Sequence, residues 1–135
     1  MQLLPILKVI LIMAKNSGVS SQGGQLIAVI GDEDTVTGML LAGVGHKNSV
    51  GQNYMVVTEK TTRSAVEECF HKFTKRPDVA IVLINQHVAS SIRHLLDGYE
   101  QTIPTVLEIP SKDHPYDPKS DTIMRRVNAM LGLNE

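Results

Sequence analysis

Three acids in a row, Asp32-Glu33-Asp34, follow Gly31 at the end of the apolar run Leu26-Ile27-Ala28-Val29-Ile30. Carboxylates after a strand suit two tasks: holding a divalent cation beside a phospho-accepting aspartate, or capping the unpaired amides of a helix start. The first task, that of a phosphorylation receiver domain, needs an acceptor after a later strand. The run Val79-Ala80-Ile81-Val82-Leu83-Ile84 ends instead in Asn85 and Gln86, whose amides form no acyl phosphate under the same activation. The acidic turn is therefore read as a helix entry capped by Asp32 or Asp34. It also disfavours a nucleotide, since pyrophosphate needs a glycine-rich turn of free amides. Gly43-Val44-Gly45-His46-Lys47 is glycine-rich, but it follows a helical pattern instead of opening one and reads as a helix stop.

The other reactive side chains are scattered. His87 and His94 are seven residues apart, two helical turns, too far to chelate one ion directly. His114 lies between Asp113 and Asp117 without the usual ligand spacing. Ser90 and Ser91 lack a glycine elbow. Cys69 shares a helical stripe with Val66, Phe70 and Phe73 and reads as a small buried apolar residue; a lone cysteine excludes an internal disulfide and fits a reducing compartment. These patterns predict no catalytic residue, no cofactor and no metal site.

The elements that position these residues follow from apolar patterning. Continuous apolar runs at 26–30, 79–84 and 105–109 suit strands covered on both faces, and Tyr54-Met55-Val56-Val57 is a shorter strand nearer an edge. Helical patterns alternate with them: one after the acids through Met39-Leu40-Leu41, one opened by Thr61 or Thr62, or a turn later by Ser64 with Glu67 at capping-box spacing, and ended by Pro77, and one with Val88, Ile92, Leu95 and Tyr99 on a single stripe. His46 to Asn53 reads as a polar loop. The order β-α-β-α-β-α-β predicts an α/β fold, a small doubly wound four-stranded parallel sheet of order 2-1-3-4.

With 135 residues the chain is one domain with appendages, and 13 basic against 14 acidic side chains leave no strong field for nucleic acid or an anionic membrane. Leu3 to Ala14 is apolar but interrupted by Pro5 and Lys8 and falls short of the roughly 20 residues that span a bilayer. A signal peptide is the sharper alternative for that run, though no basic residue precedes it. The expected organisation is an apolar, flexible extension over 1–24, a sheet domain over 25–109, an extended connector over 110–118 that carries Pro110, Pro115 and Pro118, and a C-terminal helix and tail over 119–135. Asp117 is a plausible cap for that helix, with Pro118 at its first position.

The last helix carries the most suggestive surface. Ile123, Met124, Val127, Met130 and Leu131 fall within about a third of its circumference. Leaving all five in water forfeits several kcal/mol, at roughly 1.5–3 kcal/mol for each buried side chain. The helix either folds back on its own sheet or docks on a partner, and the proline-rich connector favours the partner.

The segments Leu26-Ile27-Ala28-Val29-Ile30-Gly31-Asp32-Glu33-Asp34-Thr35, Ile84-Asn85-Gln86-His87 and Leu107-Glu108-Ile109-Pro110-Ser111-Lys112-Asp113-His114-Pro115-Tyr116-Asp117 together resemble the F subunits of eukaryotic vacuolar-type proton-pumping ATPases (V-type ATPases), from about Gln25 onward. The resemblance implies a non-catalytic central-stalk component that sits with the coiled-coil D subunit and helps couple ATP hydrolysis to proton transport. It further implies a place on the cytosolic face of an acidified endomembrane, without membrane insertion, and assigns the Ile123, Val127, Met130 and Leu131 face to partner contact and the connector with Pro110, Pro115 and Pro118 to a hinge. A receiver-like signalling or binding domain remains the alternative. Incubation with acetyl phosphate and magnesium separates the two: no residue should become labelled, and stoichiometric labelling of any residue would refute the stalk assignment.

Overall fold

The computed structural model describes residues 26–45, 47–49 and 51–133; the extension expected over 1–24 lies outside them. Strand β1 (Leu26–Gly31) is followed by helix α1 (Glu33–Leu41), a small hairpin of β2 (Lys47–Asn48) and β3 (Gly51–Gln52), strand β4 (Tyr54–Val56), helix α2 (Arg63–Lys75) and strand β5 (Val79–Asn85). Two short helices, α3 (Gln86–Ser91) and α4 (Arg93–Asp97), lead to strand β6 (Thr105–Ile109) and, after a 3-10 turn at Pro118–Ser120, to helix α5 (Thr122–Met130). The main sheet is all parallel with order β4-β1-β5-β6, the expected central first strand.

Side chains alternate along β1 and sort the core onto two sides. Ala28 and Ile30 meet Val66, Phe70 and Phe73 of α2 and Val88, Ala89 and Ile92 from the α3–α4 segment. Val29 faces the other way, onto Val36 and Leu40 of α1 and Tyr54. Cys69 packs against the larger cluster, and burial pushes its thiol up to about 12, so it stays an un-ionised packing residue.

Local chemistry explains the element ends. Asp32 caps α1 by accepting from the Thr35 amide at 2.7 Å, while Asp34 is exposed. Gly43, with φ +85°, closes the same helix through bonds from the Gly43 and Val44 amides to the Leu40 and Met39 carbonyls. Thr62 caps α2.

Three expectations need correction. The single third helix is broken at Ile92, whose φ −118° and ψ 28° leave the helical region, although its side chain stays buried in the stripe. The loop over 46–53 holds the β2–β3 hairpin. Asp117 and Pro118 open a 3-10 turn, and α5 starts later with its own cap, Asp121.

At the carboxyl end of the sheet, Gly31 is a matter of space. A Cβ there would stand 2.3 Å from Asn85 Oδ1, so the strand ends in the one residue that leaves the amide room. Gly31→Ala should destabilise the domain by about 1–3 kcal/mol through overpacking, a fall of several degrees in the thermal midpoint readable by circular dichroism.

Candidate functional site

Doubly wound sheets bind ligands at the carboxyl ends of their strands, and here that crevice is filled by the chain itself. Asn85, fully buried at the end of β5, accepts from the Asp32 amide at 2.8 Å and donates to Thr35 Oγ1 at 3.2 Å and to the Pro110 carbonyl at 3.1 Å. The position where a receiver domain would carry its acceptor is thus a carboxamide joining the β1–α1 turn to the start of the connector. Gln86 continues the seam: its Nε2 donates to the Asp117 carbonyl and its Oε1 accepts from the Asp117 amide, both at 2.7 Å. Two side-chain amides hold the connector at both ends of its path, so Pro110 and Pro118 flank a docked strap. Neither amide was legible as a fastener from sequence; an Asn-Gln pair ending an apolar strand opposite a glycine was the available signal.

The root of α5 is fixed by a second polar cluster. Glu108, with its side chain only 3 % exposed, pairs with Arg93 through both carboxylate oxygens and accepts from the Thr122 amide at 3.2 Å. Arg93 also donates to Thr122 Oγ1 at 2.9 Å. Tyr116 donates to the Asp121 carboxylate, which pushes the phenol up to about 12. The Arg126 guanidinium donates to the carbonyls of Leu96, Asp97 and Tyr99, closing the end of α4, and Arg125 pairs with Asp97 at 2.6 Å. A cleft of about 300 Å³ under this root is lined by Tyr99, Glu100, Glu108, Thr122, Ile123 and Arg126 among others, and two of its charged groups, Glu108 and Arg126, are already engaged within the chain.

Beyond the root the helix loses its support. Ile123 is half-buried, Met124 and Val127 are 36 % and 39 % exposed, and Met130 and Leu131 reach 85 % and 67 %. Four residues of the expected face are therefore on α5, with Leu131 as its C-terminal cap, and apolar exposure rises from Ile123 to Met130. A second apolar surface was not anticipated: Leu107 is exposed on β6 beside its register partner Leu83, and it belongs to neither buried cluster. Parallel sheets are usually covered on both faces, which makes this part of β6 unusual.

The remaining candidates do not assemble into reactive chemistry. His94 sits on the surface with Arg63 and Glu67, away from His87, which instead stacks on His114 with ring centroids 4.2 Å apart. Ser90 and Ser91 spend their hydroxyls on the Gln86 and Val88 carbonyls of their own helix. Among the described residues no group of three or more His, Cys, Asp or Glu is placed to hold a metal, and no helix is long and apolar enough to cross a membrane.

A family model for the ATP synthase (F/14-kDa) subunit matches residues 27–127, from β1 into α5. The V-type proton ATPase F subunit of Dictyostelium discoideum is 57 % identical over 108 residues, covering 79 % of this chain and 90 % of that one. The human V-type proton ATPase F subunit is 54 % identical over 109 residues, covering 80 % and 92 %. The chain belongs to the family of V-type proton ATPase F subunits. A crystal structure of the Archaeoglobus fulgidus V-type ATP synthase F subunit aligns with a TM-score of 0.45 and 24 % identity over 64 % of this chain and 98 % of that one. As a member of the F-subunit family, the chain is part of a proton-transporting V-type ATPase complex and works among complex partners.

For this member of the family, the Glu108 cluster sets how firmly the last helix is rooted. Glu108→Gln keeps the shape but removes the charge opposite Arg93, and should cost about 1.5–3 kcal/mol. The amides of Thr122 and Ile123 should lose hydrogen-exchange protection more than those of β1.

Proposed function

We propose that this chain is a non-catalytic component of the central rotor stalk, bound to the D subunit of the V-type ATPase and helping couple ATP hydrolysis in the soluble sector to proton translocation. The observation that carries the reading is the apolar face of α5, exposed at Val127, Met130 and Leu131 on a helix whose root is clamped by polar bonds. A helix of nine residues is marginal alone in water, so a partner that covers its outer turns supplies stability that the sheet does not. A coiled-coil partner offers the long apolar groove such a face fits. The crevice that other doubly wound folds use for ligands is occupied by the connector, which supports a mechanical role over a chemical one.

In this reading the units are an extension over 1–24, the sheet domain over 25–109, a hinge over 110–118 and the docking helix with its tail over 119–135. Ile123, Met124, Val127, Met130 and Leu131 form the contact face, and Pro110, Pro115 and Pro118 set the hinge. The complex holds the chain peripherally at the cytosolic face of an acidified endomembrane.

The double substitution Val127→Asp with Leu131→Asp places two charges on the proposed contact face. Affinity for the D subunit should fall at least tenfold in a calorimetric titration, ATP-driven acidification of vesicles carrying the reassembled complex should drop, and the thermal midpoint of the free chain should stay within a few degrees of wild type. Unchanged affinity together with a large fall in that midpoint would show a helix that serves its own domain.

A further inference from the structure

Outside the polar bonds already described, one contact joins the connector to the sheet domain through titratable rings. His87, in the first turn of α3, stacks on His114 of the connector with centroids 4.2 Å apart and planes 19° from parallel. The loop that carries His114 is closed on itself: the Ser111 amide donates to the His114 carbonyl at 3.0 Å, and Ser111 Oγ lies 3.1 Å from His114 Nδ1. His87 Nδ1 is enclosed and has no hydrogen-bond partner. An unprotonated ring nitrogen tolerates that position, whereas a protonated one would bury an N–H without an acceptor and bring a positive charge against the second ring.

We propose that the His87–His114 stack is a proton-operated latch, closed while the His87 ring is neutral, that releases the connector and loosens the root of α5 when the surroundings acidify. Charged groups face the pair from several sides. From the β1–α1 turn, Asp32 draws a proton toward His87, but burial and His114 outweigh it and hold His87 below the ordinary imidazole value. Asp34, on the same helix entry, lies 3.7 Å from Lys112 of the connector. In the connector, Asp113 is exposed and the Asp117 carboxylate is turned to the Lys119 amide and the Ser120 hydroxyl. Helix α3 itself contributes no charged side chain besides His87.

The sign follows from linkage. The docked state holds its proton less tightly than the released state, so the latch contributes fully above the free imidazole value near 6.5 and is lost as pH falls from there through the lower docked value. One linked proton limits the effect to about tenfold per pH unit. The polar bonds made by Asn85 and Gln86 do not titrate in this range, so release is a weakening of the strap and not unfolding of the sheet.

The test is amide hydrogen exchange on the full chain between about pH 8 and 5.5, a window that brackets the free imidazole value, expressed as protection factors so that the intrinsic pH dependence of exchange divides out. The amide of Asp117, which reports connector docking on Gln86, and that of Ser111, which reports closure of the His114 loop, should lose about tenfold protection across the range, while Val82 and Ile84 in β5 hold theirs. In His87→Phe, which keeps a flat ring and removes the proton, connector protection should be independent of pH. The His87 Cε1 proton of the wild-type chain should titrate by NMR below free imidazole, a readout that needs no variant. Constant wild-type protection, a His87 midpoint at or above the free value, or an undiminished pH dependence in folded His87→Phe would each overturn the proposal.

Discussion

The side chain of Asn85 holds together the end of the molecule that matters most. Its carboxamide is small, neutral and two-sided, accepting from the Asp32 amide while donating to Thr35 and to the Pro110 carbonyl. Three segments distant in sequence meet on one group, and each bond replaces a water that burial has removed. An aspartate of the same size would lose both donors and bring a further carboxylate beside the three of the acidic turn. The chemistry that makes a phosphoryl acceptor and the chemistry that closes this crevice are therefore mutually exclusive at position 85. Gly31 completes the arrangement by leaving the amide its space.

From that point outward the chain is held by polar bonds in series: Gln86 on Asp117, Tyr116 on Asp121, Glu108 on Arg93 and Thr122, Arg126 on the end of α4. Such bonds are directional and fix orientation, but each contributes only about 1 kcal/mol net when neutral. The apolar surface of α5 is the opposite case, non-directional and worth more per residue once covered. The domain thus specifies where the last helix starts and leaves the gain from burying its outer turns to another surface.

Much of the fold was legible because its strands are continuous apolar runs and its helices carry clean stripes; β1, β5, β6 and α2 fall within a residue or two of the positions their patterns indicate. The break at Ile92 was not legible, because the stripe from Val88 to Tyr99 runs unbroken through it and only the backbone angles change. The β2–β3 hairpin was invisible for a different reason: its strands are two residues each and polar, with no period to read. At the site, the apolar face of α5 was written in the spacing of Ile123, Val127 and Leu131. The fastening roles of Asn85, Gln86 and Glu108 depend on partners 14 to 53 residues away, and a polar residue does not announce its distant partner.

The clamp at Arg126 has a geometric consequence. It grips the helix at its middle residue, the fifth of nine, with the guanidinium on the carbonyls of Leu96, Asp97 and Tyr99, so only about 6 Å of helix runs beyond the grip at 1.5 Å per residue. The helix is held at both its root and its middle, which leaves a short free arm. A pivot of about 20° at that grip sweeps the far end through only about 2 Å, well under one helical turn. A partner surface with helical periodicity would therefore meet the exposed Met130 and Leu131 side chains in one register, because a grip at mid-helix limits the swing of the apolar end instead of amplifying it.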